Sequence, residues 1–292
     1  MGKRVLITGA NTGLGFETAK VLLREGHEVI MGNRSPERSQ RALEELSRLG
    51  YPGRVESLPL DLEDRGSIQD FAEAFKERYG SLDVLVNNAG VLLREETRTR
   101  NGLEAHFDIN YLGHFHLDAL LLPSLKEDGL VVSLSSLAHK MEIADIHFQD
   151  LSLESQGYER MKAYSQSKLA MALLGVELSR RFEGSRRRSL IVHPGVSNTD
   201  LVSRWFPGLL GRWVMPLTHL AGISGPAEGA RSIHYAILRE DLKSGSYIGP
   251  LGKREWRGEP GIAELSGKAL DPELARRLFK ESEGLLGISF PI

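Results

Sequence analysis

Tyr164-Ser-Gln-Ser-Lys168 sets a phenol and an ammonium four residues apart within a stretch of helical pattern. At 3.6 residues per turn both fall on one helix face. A phenol is a weak acid, with an ordinary pKa of about 10, and a neighbouring cation favours its ionised form. Such a pair can hand a proton to a carbonyl oxygen, or take one from an alcohol, near neutral pH. Taken alone, the spacing is common enough to arise by chance, and an ordinary helix face with a packed Tyr and a solvated Lys is the plainer account. Its weight depends on what else the chain carries.

Thr8-Gly9-Ala10-Asn11-Thr12-Gly13-Leu14-Gly15 follows an apolar run and opens a helical one. Glycines at these positions permit a tight turn and let backbone approach a pyrophosphate, which the helix N-terminus attracts with its free N–H groups and dipole. The next apolar run ends Gly32-Asn33-Arg34. An acid there would bond a ribose 2′-hydroxyl, whereas Arg34, with Arg38 one turn on, suits a 2′-phosphate and hence NADP(H) over NAD(H); otherwise Arg34 is a surface arginine. Asp61, beside Leu62, either accepts from the adenine amino group or serves as an acid at a helix N-terminus. Asn87-Asn88-Ala89-Gly90 ends a further apolar run with side chains small enough for a cofactor to cross the sheet edge.

The elements that must position these groups alternate. Short β-rich runs at 5–7, 28–31, 55–60, 82–86, 130–134 and 189–193 are separated by helical patterns at 16–25, 37–49, 67–79, 102–122 and 158–182. A helix at 226–238 and a short strand at 247–248 follow, with a closing helix at 271–286. Gly26, Gly50, Gly80 and Pro123 punctuate the helix ends. Strands alternating with helices of a dozen residues predict an α/β fold: one doubly wound parallel sheet, helices on both faces, ligand at the carboxyl ends of the strands. No linker, repeat or low-complexity segment divides it, so 1–292 reads as a single domain. The stretch 201–224 breaks the alternation with Trp205, Phe206, Pro207, Trp213 and Pro216. It reads equally as a helix pair packed on the core or as an apolar lid over a substrate cleft.

Composition narrows the function classes. With 41% hydrophobic and 26% charged residues the chain has the balance of a globular protein. A net charge of −2 gives no bulk attraction to nucleic acid. Cysteine is absent, which removes disulfides, thiolate nucleophiles and Cys-ligated metals. The N-terminus enters a strand directly and lacks a signal-peptide core, and no apolar run reaches the roughly 18 residues of a membrane span. A cytoplasmic location is the expectation. His114 and His116, two apart on a helix, point different ways and make a poor metal pair. His193 is expected at the edge of the site, and His139 as polar lining that could touch a substrate.

Thr8 to Gly15, Asn87 to Gly90, Asn110, Ser136, Tyr164 with Lys168, and Pro194-Gly195, in that order along essentially the whole chain, resemble the short-chain dehydrogenase/reductases. The three-residue spacer after Gly9 is that of the simple oxidoreductase branch. Asn101 to Phe115, Ser135-Ser136-Leu-Ala-His139, the long interval from Ser136 to Tyr164, and Asp271 to Ser282 are similar to retinol dehydrogenase-like and WW-domain-containing oxidoreductase-like members, and protochlorophyllide reductases share several of these features. The resemblance implies that Tyr164 is the acid/base, that Lys168 lowers its pKa and holds the nicotinamide ribose, and that Ser136 rather than Ser135 polarises the substrate oxygen. It implies a water held by Asn110 that extends the proton path. Cofactor contacts would come from Gly9, Asn11, Thr12, Gly13, Leu14, Gly15, Arg34, Asp61, Leu62, Asn88, Ala89, Gly90, Tyr164, Lys168, Pro194, Gly195 and Thr199. Two hydroxyl donors aimed at one oxygen would also stabilise a developing alkoxide on physical grounds alone.

The expected function is therefore NADP(H)-dependent interconversion of an alcohol with an aldehyde or ketone on a lipophilic small molecule, in a homodimer or homotetramer as is common in the family. Reduction of a C=C bond conjugated to a carbonyl is the alternative within the same cofactor chemistry. A non-catalytic nucleotide sensor or scaffold is the alternative outside it.

Overall fold

The computed structural model describes residues 2–155, 157–196 and 225–292. Thr199 and the 201–224 segment lie outside them, so the cofactor contact and the lid expected there stay at the level of the sequence.

An eight-stranded sheet in the order β3-β2-β1-β4-β5-β6-β7-β8 forms the centre. Its strands are β1 Arg4–Thr8, β2 Glu28–Asn33, β3 Arg54–Pro59, β4 Leu82–Asn87, β5 Leu125–Leu134, β6 Arg188–Val192, β7 Tyr247–Pro250 and β8 Pro260–Ala263. The first seven run parallel, and β8 returns antiparallel along β7. The order reverses between β1 and β4, where a crevice opens at the carboxyl ends. Helices are α1 Gly13–Arg24, α2 Pro36–Arg48, α3 Arg65–Tyr79, α4 Ala105–Phe107, α5 Gly113–Leu121, α6 Arg160–Arg181, α7 Pro226–Leu238 and α8 Pro272–Leu286.

Successive side chains of a strand face opposite ways, so each strand feeds two cores. Leu6, Ile30, Leu85, Val131 and Ile191 join Phe71, Phe75, Phe115 and Met171 on one face. Val5, Ile7, Val29, Met31, Val86 and Val192 join Leu22, Leu23 and Ile233 on the other. Burial on both faces explains why the strands read as continuous apolar runs. Helix starts follow cap chemistry. Ser35, Asp64 and Asp271 each accept backbone N–H groups of the helix they open.

The structure corrects two expectations. The helix expected over 102–122 begins at Ala105, because Gly102 sits in a turn at φ +77° and the Glu104 carboxylate caps the Phe107 N–H at 2.8 Å. Between α4 and α5, Asp108–Leu112 form a π-turn. The sheet is not wholly parallel, since β8 was not expected.

Candidate active site

Two cavities meet at the carboxyl ends of the strands. One, of about 490 Å³, runs from Arg34 past the glycine loop to Gly90. The other, of about 400 Å³, is floored by Ser136, Tyr164 and Lys168. Leu14, Asn88, Gly90, Val91 and Leu92 line both, so they form one cleft.

The glycine loop is built for close approach. A Cβ on Gly15 would lie 2.6 Å from Asn88 Nδ2 and 2.7 Å from the Gly9 carbonyl oxygen, so only glycine fits. Asn88 pins the loop, donating from Nδ2 to the carbonyls of Thr8 at 2.7 Å and Gly9 at 3.2 Å. The α1 cap residue Thr12 makes no side-chain cap bond, which leaves the first N–H groups of α1 free toward the cleft. At the far end Arg34 and Arg38 line the cleft. Their side chains have no carboxylate partner among the described residues. Asp61 and Leu62 line the same stretch, with Asp61 Oδ1 accepting from Glu63 N at 3.1 Å. Uncapped N–H groups, a cradle without Cβ atoms and two unpaired cations together fit a phosphorylated dinucleotide.

Asn87 does not join its neighbour. It turns into the protein, and its Nδ2 lies 2.9 Å from both oxygens of the buried Asp118. Burial pushes the Asp118 carboxyl up to about 8. His114 also acts structurally. Its Nδ1 donates to the Asn110 carbonyl at 2.9 Å, so Nε2 accepts from the Thr8 hydroxyl, also at 2.9 Å. Burial pulls its pKa down to about 4 and keeps it neutral. The Thr8 hydroxyl oxygen in turn accepts from Asn88 N and Ala89 N, both at 2.9 Å. His114 thereby ties the strand end to the π-turn.

Asn110 sits in that π-turn. Its Oδ1 accepts from Val91 N at 2.7 Å, while Nδ2 donates to the Val91 carbonyl and to Ser167 Oγ, each at 3.1 Å. The side chain is thus committed to protein partners and fixes the cleft wall against α6.

Tyr164, Lys168 and Ser136 come together as expected. Ser136 caps the turn 137–140, and its hydroxyl lowers the Tyr164 pKa. Ser135 points away and donates to the Lys168 carbonyl at 2.7 Å, which supports the choice between the two serines. Lys168 Nζ donates to the Leu134 carbonyl at 3.1 Å and stands 5.9 Å from the centre of the Tyr164 ring. Burial has the larger effect on both groups. Burial drives the Tyr164 phenol up to about 12 against the pull of Ser136, and burial alone draws Lys168 down to about 8.

Two features escaped the sequence. His106 Nε2 accepts from Leu93 N at 2.9 Å, so Nδ1 donates to Glu104 Oε1 at 2.6 Å. This buried pair stands edge-on to the Tyr164 ring, with centroids 6.0 Å apart. Neither residue type carries a motif signal at that spacing. The second is Trp256, which lines the cavity of Tyr164 from the loop after β7. His139 is buried and bonded to the Ser136 carbonyl at 2.7 Å, so it supports the serine turn without facing the cleft.

The short chain dehydrogenase family model matches residues 3–147. The chain is 38% identical to retinol dehydrogenase 14 of Mus musculus, over 98% of this chain and 86% of that one. It is 36% identical to retinol dehydrogenase 13 of Homo sapiens, over 99% and 86% respectively. A crystal structure of an uncharacterized protein from Mycobacterium paratuberculosis superposes with a TM-score of 0.81 at 36% identity, covering 99% of this chain and 95% of that one.

Proposed function

This chain belongs to the short-chain dehydrogenases, on the retinol dehydrogenase-like side of the family, and from that premise we propose that it is an NADP(H)-dependent enzyme interconverting an alcohol and a carbonyl on a lipophilic small molecule. The observation that carries the reading is the meeting of Ser136, Tyr164 and Lys168 on the floor of a cavity otherwise lined by Leu14, Leu92, Leu137, Met141, Met161 and Trp256. Such a wall favours an apolar substrate, and the floor gathers its polar groups at one point. The unpaired Arg34 and Arg38 at the other end of the cleft favour the 2′-phosphate.

When bound, the nicotinamide supplies or accepts the hydride. The chain's own residues do the rest. Ser136 Oγ and Tyr164 Oη would hold the carbonyl oxygen between two hydroxyl donors and stabilise the charge that develops there. With its pKa near 12, Tyr164 stands protonated at neutral pH, ready to donate its proton as the oxygen becomes an alkoxide. The carbonyl-reducing direction therefore needs no prior ionisation. Alcohol oxidation does. Among the described residues no helix is long and apolar enough to cross a membrane.

The decisive experiment follows NADPH and NADH consumption with aldehydes and ketones of graded chain length. Turnover should favour NADPH and rise with apolar chain length, and Tyr164→Phe should cost about 100-fold or more in kcat while leaving NADPH binding intact. Full activity in Tyr164→Phe would reject the mechanism. A protein that binds no nicotinamide cofactor would reject the whole reading.

A further inference from the structure

The loop 251–259 joins β7 to β8 and carries a local conformation that L-residues rarely adopt. Arg254 and Glu255 stand consecutively in the left-handed region, at φ 58° and 57°. Strain of this kind persists only where surrounding contacts over-determine it, and it gathers at functional sites. The contacts here centre on the Glu255 carboxylate. Lys140 Nζ lies 2.8 Å from both of its oxygens. His193 Nε2 lies 3.2 Å from Oε2. Gly195 N donates to His193 Nδ1 at 3.2 Å, so the ring hydrogen sits on Nε2, which comes near the carboxylate without making a hydrogen bond to it. Both partners belong to segments of the site. Lys140 ends the turn that Ser136 opens, and His193 immediately precedes Pro194-Gly195.

The tie continues through the backbone. Val196 N donates to the Trp256 carbonyl at 2.9 Å. A Cβ on Gly195, itself at φ +75°, would fall 2.3 Å from that same oxygen. Behind the contact, the Tyr247 ring stacks on His193 with centroids 4.9 Å apart, and Lys140 Nζ lies 5.1 Å from the ring centre. Glu255 therefore ties the serine turn, through Lys140, to the loop that carries Trp256 into the substrate cavity, and the Val196–Trp256 backbone bond ties that loop to the Pro-Gly turn.

We propose that Trp256 is a specificity-determining wall of the substrate cavity, limiting bulk beside Ser136, and that Glu255 is the positioning residue that seats it. The proposal rests on the reading of the cavity as a carbonyl site. An indole held by a clamped, strained loop is a rigid wall, and a rigid wall discriminates by shape where a mobile one accommodates. Slim, unbranched carbonyl compounds should enter freely, while branched ones of equal carbon number should be rejected.

The test compares an unbranched with a branched aldehyde of equal carbon number in wild type, Trp256→Ala, Glu255→Gln and the double variant. Trp256→Ala should bring the ratio of their kcat/KM values about tenfold closer to one. Glu255→Gln should do nearly the same, mainly through KM, with kcat changed less than about threefold. The double variant should go no further than Trp256→Ala, because residues acting as one unit are not additive. A general loss of folding would lower both substrates together and leave the ratio unmoved. Lys140→Gln loosens the same clamp from the other side and should repeat the result if Glu255→Gln folds poorly. A second readout needs no turnover. In a Trp205→Phe/Trp213→Phe background, Trp256 is the sole tryptophan, and Glu255→Gln should shift its fluorescence to the red. An unchanged ratio in Trp256→Ala, multiplying effects in the double variant, or an unmoved emission would overturn the proposal. Absence of turnover in wild type would instead count against the carbonyl reading, with the emission still deciding whether the clamp exists.

Discussion

Burial governs the charge of several groups inside this protein more than pairing does, and Asp118 is the clearest case. Its only side-chain partner among the described residues is one Asn87 amide nitrogen, 2.9 Å from both oxygens, and the other Asn87 amide atom, Oδ1, is buried without a partner. A single neutral donor does not compensate a desolvated carboxylate, so the group is pushed up to about 8 from the ordinary 3.8. Between those two values the folded protein binds a proton that the unfolded chain has lost. The associated stability is complete below about pH 4 and disappears as pH rises through about 8, at up to about 1.4 kcal/mol per pH unit. Asp118→Asn keeps the shape and removes the titration. In urea melts at pH 5, 6.5, 8 and 9, the variant should gain on wild type as pH rises and stop gaining above about 8. A difference that stays constant with pH would mean that Asp118 is ionised in the folded state throughout. Tyr164 and Lys168 obey the same rule, the phenol pushed up and the ammonium drawn down by burial.

At the scale of elements, α8 shows how a cap reaches the catalytic helix. Asp271 accepts from Glu273 N at 2.9 Å and Leu274 N at 3.2 Å. The helix packs against α6 by way of Phe279, which meets Phe115 at 4.8 Å and lies 3.8 Å under the Arg181 guanidinium. Asp271→Ala should cost about 1 kcal/mol, or about 2 °C in Tm for a chain of this size, with little change in kcat. A large loss of activity at constant stability would instead give the helix a direct part in the site. The elements legible in the sequence were those with local punctuation: Gly26, Gly50 and Gly80 marked helix ends, and Pro226–Leu238 was bounded as found. What escaped had no local mark. β8 is four residues including Pro and Gly, with Ile262 61% exposed, so neither periodicity nor burial announced it. The π-turn at Asp108–Leu112 keeps a helical pattern and is recognised only once His114 reaches back to Asn110 and across to Thr8. In the site, the glycine loop, Ser136, Tyr164 and Lys168 were legible because each is a short motif. Asn87–Asp118 and Lys140–Glu255 were not, because they join residues 31 and 115 apart in sequence.

At the scale of the molecule, the strand order lays the cleft across the ends of β2, β1, β4, β5 and β6, from Arg34 to the Pro194-Gly195 turn. A ligand spanning that line touches five strands rooted in both cores, so its binding should register in global stability and not only in catalysis. Anything that binds the folded state alone stabilises it by about 2.7 kcal/mol at 100-fold excess over Kd, which for 292 residues corresponds to about 4 °C in Tm. NADPH should produce that shift at lower concentration than NADH, because Arg34 and Arg38 are cations without a carboxylate partner among the described residues and the 2′-phosphate would supply one. Replacing both by Ala should erase the advantage of NADPH and leave the response to NADH nearly intact. Added salt should weaken the NADPH shift more than the NADH shift, since exposed charge pairs are screened within about 10 Å at 0.1 M. If the double variant loses both shifts equally, the arginines serve the shape of the cleft and the preference for the phosphorylated cofactor must come from elsewhere.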